Sequence, residues 1–445
     1  MGAKSDRGAR LRWHAAQAIT AVVHSGATLE KAIAKHLASY TGRDHALGVE
    51  IVSGSVRWYP LLQHVLEQLR DTGKRAPATA LESLVVVGLY QLRHMRVPDH
   101  AAVSATVAAL AHGPQRHARG FVNAVLRRYL RERESIEAAV VHPDRLAHPD
   151  WLEQRLDADW PDEADAIMAA NNARAPMWLR VNRRRLDRAR YQERLAATHP
   201  DIEVTAPSWL PDGLVLSAPI AVAELPGFAD GDVSVQDAGA QLAAQLLAPQ
   251  AGERILDACA APGNKSGHLA EVGGPDIDLT VIDVDAERVA SLAGNLARTG
   301  VAATTVTADA CRTSEWWDGR PFDRLLIDAP CTGSGVIRRH PDIKFTRRLD
   351  DIAPLAAIQA RLLESLWPTL KVGGRLLYVT CSVLREENER VVQAFVDSHL
   401  DAHIWRQLPD VAIQALMSPC DLGFQWLPGR HNCDGFFYAC LEKST

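Results

Sequence analysis

Arg254-Ile255-Leu256-Asp257-Ala258-Cys259-Ala260-Ala261-Pro262-Gly263-Asn264-Lys265 begins as a short apolar run, then breaks into small residues, a proline–glycine pair and a lysine. The run reads as a buried strand and the break as a tight turn into a helix. Small side chains in such a turn let backbone approach a ligand closely. The turn is neither a G-x-G-x-x-G fingerprint nor a P-loop. Downstream, Leu279–Asp283, Thr304–Asp309, Leu325–Asp328 and Leu376–Thr380 read as four further strands. Helical patterns lie between them at Glu287–Arg298, with Gly300 as a C-cap, at Ile352–Leu370 and at Glu386–Ser398. Strands alternating with helices imply a parallel sheet with right-handed crossovers. Gly435–Leu441 reads as a last strand, antiparallel to the others. Residues 236–445 are therefore expected to form an α/β, Rossmann-like domain.

Upstream the texture differs. Residues 1–140 read as all helical, with helix-like apolar spacing over Ala15–Val23, Leu61–Leu69, Leu81–Leu92 and Ala101–Ala111. Gly120–Arg131 reads as an amphipathic helix with a basic face, suited either to phosphate contact or to simple solvation. His142-Pro143 and His148-Pro149 mark a boundary, so residues 141–235 are taken as a small α/β linking segment. Within it Trp178-Leu179-Arg180-Val181 is strand-like and leads into Arg183, Arg184, Arg185, Arg188, Arg190 and Arg194. Arginine forks suit phosphate, so this cluster is expected to bind RNA backbone, against the plainer reading of a charged helix face.

Composition sets the outer limits. The 445 residues are 47% apolar and 23% charged, which suits two or three globular domains. The net charge of −5 hides an asymmetry. Residues 1–150 carry 20 Lys and Arg against 13 Asp and Glu, and the remainder carries 29 against 41. Blocks of opposite sign point to separate domains with separate partners. Seven cysteines without regular spacing argue for reduced thiols. No apolar run reaches the ~18 residues of a membrane span, and Met1–Arg7 lacks the apolar core of a signal peptide. A cytoplasmic, membrane-free protein is expected. His340 and His431-Asn432-Cys433-Asp434 lack paired ligand spacing, so no metal is expected.

Chemistry concentrates at strand ends, where open α/β sheets place their sites. Asp283 ends the second strand about twenty residues past the turn, placed to accept the hydroxyls of a ribose. Asp309 ends the third strand, placed for an adenine edge. Three acidic strand ends suit a cofactor with ribose and adenine but no phosphate, and S-adenosylmethionine fits. Two strand ends carry cysteines: Asp328-Ala329-Pro330-Cys331 and Thr380-Cys381-Ser382. Either alone reads as a small buried hydrophobe, as Cys311, Cys420, Cys433 and Cys440 do. Together with Asp328 they suggest covalent chemistry on an electron-poor ring. Carbon-5 of cytosine becomes nucleophilic once a thiolate adds at carbon-6. Asp328 can bond the exocyclic amine, and Lys265 is a candidate neighbour for the thiolate. Such a base must leave its stack, which favours single-stranded or loop RNA.

These motifs resemble the RsmB (Sun/Fmu) family of bacterial 16S ribosomal RNA cytosine-C5 methyltransferases over nearly the whole chain. The resemblance is carried by Val87–Leu92, Gly120–Arg128, Pro176–Asn182, Val235-Gln236-Asp237, Leu256–Lys265, Asp328–Cys331 with Gly335–Asp342, Thr380–Ser382 with Glu386-Glu387-Asn388, and Asp434–Phe437. It implies an all-α NusB-like RNA-binding domain, a linking domain and a Rossmann-like class I methyltransferase domain. It implies Cys381 as nucleophile and Cys331 as the thiol that assists proton removal and release. Cofactor contacts map to Cys259, Ala260, Ala261, Pro262, Gly263, Asn264, Lys265, Asp283, Asp309 and Asp328. The implied target is cytosine 967 of 16S ribosomal RNA, in the small subunit or an assembly intermediate, with the enzyme acting as a monomer. One departure is Asn264, where the family usually has glycine. Asparagine tolerates positive φ better than other non-glycine residues, so the turn is expected to persist, with the added side chain toward the methionine end of the cofactor. Two rivals stand beside this reading. One makes Cys331 the nucleophile, as in DNA cytosine methyltransferases. The other is an RNA-binding assembly or antitermination factor with an inert methyltransferase fold.

Overall fold

The computed structural model describes residues 3–70, 79–406 and 416–445. Met1 and Gly2, which open the stretch read above for a signal peptide, lie outside them. The chain divides into two compact units: Met1–Ala173 with Ile337–Leu349, and Arg174–Val336 with Asp350–Thr445.

The first unit is helical. Its main helices are Ala3–Ser25, Leu29–Leu37, Gly42–Arg57, Tyr59–Leu69, Thr79–His94, Asp99–Ala109 and Arg119–Ala139. All four apolar patterns fall within these, the last one finishing in a 3-10 turn at Leu110–His112. Thr79–His94 is buried from Ser83 to Leu92, so it is the central helix of the bundle. Its polar residue Gln91 stays satisfied there, accepting from Arg12 Nε at 2.8 Å and donating to the Val87 carbonyl at 2.9 Å. Gly88 makes room for a neighbour: a Cβ there would stand 2.8 Å from the Leu126 methyls. Residues 141–173, grouped on sequence with the linking segment, form the short helices Pro143–Leu146, Asp150–Asp159 and Ala164–Asn172 of this unit.

Ile337–Leu349 joins this unit from far along the chain. The buried Lys344 ammonium donates to the carbonyls of Arg57 (2.9 Å) and Ala147 (2.8 Å) and to Asn172 Oδ1 (2.7 Å). Three acceptors match its three protons. Asp342 Oδ2 accepts from the Leu29 N–H at 3.1 Å, and Phe345 sets its ring edge against Tyr59.

The second unit holds two sheets. The smaller comprises β1 (Met177–Val181), β2 (Val204–Thr205), β3 (Gly213–Leu216) and β4 (Val233–Val235), antiparallel in the order β2-β3-β1-β4. Helix Arg188–Thr198 packs Tyr191 and Leu195 onto the core of this sheet. The larger sheet comprises β5 (Arg254–Ala258), β6 (Asp278–Asp283), β7 (Thr304–Thr307), β8 (Phe322–Asp328), β9 (Leu370–Thr380), β10 (Ala402–Ile404), β11 (Ser418–Cys420), β12 (Gly423–Trp426) and β13 (Phe436–Lys443). Its order is β11-β12-β13-β9-β8-β5-β6-β7, with β10 paired to β13. Strands β5 to β9 are mutually parallel, and β13 runs antiparallel to β9 as expected.

The helix Ala286–Thr299 ends on Gly300 at φ 72°, the left-handed cap its position requires. Two boundaries shift. The helix from Ile352 ends at Leu366, because Pro368 turns the chain through a 3-10 step and Leu370 already belongs to β9. The helix expected from Glu386 begins at Glu389, because residues 386–388 form a turn whose side chains bond the strand ends. Among the described residues no helix is long and apolar enough to cross a membrane.

Candidate active site

The order β9-β8-β5-β6-β7 reverses direction between β8 and β5, and open sheets bind ligands in the crevice at such a switch point. Every candidate residue stands at or just past the carboxyl end of one of these five strands. After β5 the chain turns sharply. Cys259 has φ 61°, the Ala260 N–H donates to the Ile282 carbonyl of β6 at 2.9 Å, and Gly263 has φ 94° as the residue before helix Asn264–Gly273. A Cβ on Gly263 would lie 3.2 Å from Leu292, so glycine suits it on both counts.

Asn264 differs from expectation. It is the first residue of the helix and has no positive φ; Gly263 bears that conformation, so an asparagine needs no special tolerance here. Its carbonyl accepts from Arg180 Nη1 at 2.7 Å.

Beside the turn a cavity of about 280 Å³ is walled by Ile282, Pro330, Ile358 and Leu362, with Asp283 and Asp309 also lining it. Of the seven turn residues, Cys259 lines this cavity. Buried Asp283 accepts from the backbone N–H of Ala261 through Oδ2 and of Asp285 through Oδ1, each at 3.2 Å. Oδ2 also faces Arg288 Nη2 at 3.5 Å, and Oδ1 retains a further lone pair. Asp309 Oδ1 accepts from the Cys311 N–H at 3.0 Å. Burial, with Asp328, Asp283 and Asp257 close by, pushes the Cys259 thiol far up, so it stays protonated and inert. The apolar wall was missed on sequence. Ile358 and Leu362 stand four apart on one helix, a spacing that marks a shared face but not what it covers.

On the other side of the switch point, Lys265 Nζ donates to Asp328 Oδ2 at 2.7 Å, with side-chain exposures of 13% and 28%. The ammonium also lies 5.5 Å from the Phe436 ring centroid. Burial works against this charge, but Asp328 outweighs it and holds the Lys265 pKa above its ordinary value, with Cys381 contributing. Cys331 Sγ and Cys381 Sγ meet at 3.4 Å. Cys331 is 8% exposed, and Cys381 is half-buried. The hydrogen bond with Cys381, then burial, push the Cys331 thiol well up. The turn after β9 is braced by Asn388, whose Oδ1 accepts from Thr380 Oγ1 at 2.6 Å and whose Nδ2 donates to the Ser382 carbonyl at 3.0 Å. Of the other thiols, Cys433 and Cys440 are buried, while Cys311 and Cys420 are half-buried.

The arginine cluster divides: Arg184, Arg185 and Arg190 stand exposed, while the others are engaged within the protein. Arg180 is buried and grips Glu271 with two bonds of 2.9 Å. Arg183 pairs with Asp212, Arg188 donates to the carbonyls of Pro207 and Leu210, and Arg194 pairs with Asp232. Each is engaged by a partner distant in sequence, which local charge counting cannot see. On helix Arg119–Ala139, Arg128 pairs with Glu132 and Arg133 with Asp99, while Arg119, Arg127 and Arg131 stay exposed.

Three family models match the chain: the NusB family over residues 9–131, an RsmF/B-like ferredoxin-like domain over 148–223, and 16S rRNA methyltransferase RsmB/F over 244–442. Ribosomal RNA small subunit methyltransferase B of Pseudomonas syringae pv. tomato is 44% identical over 97% of this chain and 96% of its own. Its counterpart in Vibrio cholerae is 43% identical over 97% of each. The solved structure titled PH0851 covers 98% of this chain and 99% of its own at 25% identity, with a TM-score of 0.78. A methyltransferase homologue from Pyrococcus horikoshii matches 66% of this chain and 99% of its own at 28% identity and TM-score 0.56.

Proposed function

The chain belongs to the RsmB family of 16S rRNA methyltransferases, and from that premise we propose that it methylates carbon-5 of a cytosine in 16S ribosomal RNA through a covalent Cys381 adduct. By family resemblance the target is cytosine 967, and the protein acts in the cytoplasm as a monomer on the small subunit or its precursor. The observation that carries the reading is the meeting of two thiols at 3.4 Å, one strand away from a bonded Lys265–Asp328 pair.

S-adenosylmethionine, when bound, supplies an electrophilic methyl group on a sulfonium. The cavity suits its nucleoside: part of the wall is apolar, with Arg288 and Arg361 also lining it, and the two aspartates offer acceptors to ribose hydroxyls and an adenine amine.

In the proposed reaction Asp328 accepts a hydrogen bond from the cytosine amine and Lys265 holds that carboxylate in place. Cys381 gives its proton to solvent and adds as thiolate to carbon-6. The C5–C6 π electrons move toward N3 and return through carbon-5 to bond the methyl group, leaving a neutral thioether where the sulfonium was. Cys331, after passing its own thiol proton to solvent, receives the carbon-5 proton as a thiolate, the C5–C6 double bond re-forms, and the Cys381–C6 bond breaks to return the Cys381 thiolate. The two thiols are suited to different tasks. Cys331 is the more buried, and its proton is held partly by Cys381.

The test is a pair of alanine variants on unmethylated 16S ribosomal RNA. Cys381→Ala is expected to abolish methylation and give no covalent adduct. Cys331→Ala is expected to accumulate a denaturant-stable protein–RNA adduct. The reverse pattern overturns the assignment, and full methylation by both variants overturns the covalent mechanism.

A further inference from the structure

One carboxylate at the thiol pair has no part in the reaction as written. Glu387 is completely buried (0% exposed). Its Oε1 accepts from the Thr332 backbone N–H at 2.8 Å and from Gln359 Nε2 at 3.3 Å. Its Oε2 accepts from Thr332 Oγ1 at 2.5 Å and from Ser382 Oγ at 2.6 Å. None of these four donors is a cation. Burying a carboxylate without a counter-ion is costly, and an apolar side chain would serve packing better.

The donors explain the choice. Thr332 directly follows Cys331, and Ser382 directly follows Cys381. A single planar group thus holds the residue after each thiol, using the roughly four acceptor sites a carboxylate offers. Glu387 is itself fixed, since its carbonyl accepts from the Tyr378 hydroxyl of β9 at 2.6 Å. The two motifs also meet farther along, where the Gly335 N–H donates to the Cys381 carbonyl at 2.9 Å and the Val383 N–H to Ser334 Oγ at 3.0 Å. Those bonds reach Cys381 itself and the loops beyond, and Ser382 Oγ also lies 3.4 Å from Thr332 Oγ1 and 3.0 Å from Ser334 Oγ. Glu387 binds the residue after each thiol with the shorter bonds, 2.5 and 2.6 Å.

We infer that Glu387 is a positioning residue that sets the meeting of Cys331 and Cys381 by holding Thr332 and Ser382 to one carboxylate. Its kinetic consequence rests on the two-thiol reading above, whereas the thiol separation does not. A misplacement of about 1 Å at a reacting centre can cost ~10²-fold in rate, so a loosened clamp shows in kcat before it shows in binding.

The experiment reads both quantities in the full-length protein. Diamide, a diazene, takes two electrons and two protons from a thiol pair, becomes the hydrazine and leaves a disulfide. In Glu387→Ala the Cys331–Cys381 disulfide is expected to form about tenfold more slowly than in the parent, and kcat to fall about thirtyfold with RNA KM within about twofold. Glu387→Gln keeps one oxygen for the Thr332 N–H and lets two hydroxyls turn to donate or accept, so it is expected to recover both rates to within about threefold. If Glu387→Ala does not fold, Thr332→Val combined with Ser382→Ala, which removes the two hydroxyl donors, carries the same expectation of slowed pairing. Parent-like pairing in whichever variant folds overturns the inference. Cys331→Ala run alongside separates the two readings. Slowed pairing without its adduct defeats the reaction assignment and leaves the clamp standing. The adduct with parent-like pairing defeats the clamp alone.

Discussion

Replacing Arg180 with methionine tests whether this arginine, inside β1 and just ahead of the arginine-rich stretch, is architecture or RNA contact. The guanidinium is 1% exposed and its partner Glu271 0% exposed. Nε and Nη2 each donate to Glu271 at 2.9 Å, and Nη1 donates to the Asn264 carbonyl at 2.7 Å and to Gln236 Oε1. Methionine keeps the aliphatic stem and deletes every donor. Glu271 is then a buried carboxylate without its cation, which costs about 3–5 kcal/mol. The Asn264 carbonyl loses its donor too, worth about another 1 kcal/mol. A factor of ten per ~1.4 kcal/mol makes this at least a hundredfold change in the folding constant. An exposed pair would give about 0–1 kcal/mol. Urea denaturation followed by tryptophan fluorescence reports on this unit through the contacting rings of Trp178, Trp209 and Trp426. The double variant Arg180→Met/Glu271→Met removes both charges and is expected to recover most of the loss, giving a coupling energy above about 2 kcal/mol. A loss below about 1 kcal/mol in the single variant, paired with a clear fall in RNA affinity, would mean that Arg180 serves the nucleic acid and that this reasoning is wrong.

Two further outcomes follow from buried charge. Asp257 in β5 is buried, its Oδ2 accepting from Ser266 Oγ at 2.6 Å, and its Oδ1 has no hydrogen-bond partner among the described residues. Burial raises its pKa to about 7. The unfolded chain therefore sheds this proton first, and stability falls as pH rises from about 4 to about 7. Asp257→Asn should lose that fall, so its urea midpoint should exceed the parent's at pH 8 but not at pH 5; parallel profiles would refute the assignment. Lys344→Met strands three acceptors around one buried site, those of Arg57, Ala147 and Asn172. It should destabilise the helical unit by roughly 3 kcal/mol, seen as earlier exchange of its amide protons, and unchanged protection would show that the ammonium contributes no net stability.

The centre of the parallel sheet was legible because its inner strands are buried on both faces. Leu325-Leu326-Ile327 and Leu376-Leu377-Tyr378-Val379 are continuous apolar runs, each closing on polar residues at the edge of the core. Gly300 was legible because a helix end that needs positive φ selects for glycine. The site residues at strand ends followed from the sheet, since topology gathers such ends. What stayed hidden depends on distant partners. The strand before the arginines was visible, but Glu271 lies 91 residues from Arg180 and Asp232 lies 38 from Arg194. Ile337–Leu349 carries no local sign that it packs with helices well over a hundred residues upstream. Glu387 reads as one more acid at a helix start until Thr332 and Ser382 are seen to face it. Strands of two or three residues, such as β2 and β4, are too short to show a period.

The sheet order also explains why one lysine stands at the centre. Strands β5, β6 and β7 bring Cys259, Asp283 and Asp309 to the 280 Å³ cavity. Strands β8 and β9 bring Asp328, Cys331 and Cys381 to the thiol pair. Any methyl group delivered from the first set to a base held by the second must cross the β5–β8 switch point. Lys265 comes from the β5 side and Asp328 from the β8 side, and their 2.7 Å bond spans that crossing. In the proposed reaction a carboxylate that fixes the base is thereby tied to the turn that fixes the cofactor, so donor and acceptor are aligned through one contact. Such a link makes the two halves interdependent: weakening the turn should disturb base orientation as well as cofactor affinity, even though the thiols themselves are untouched.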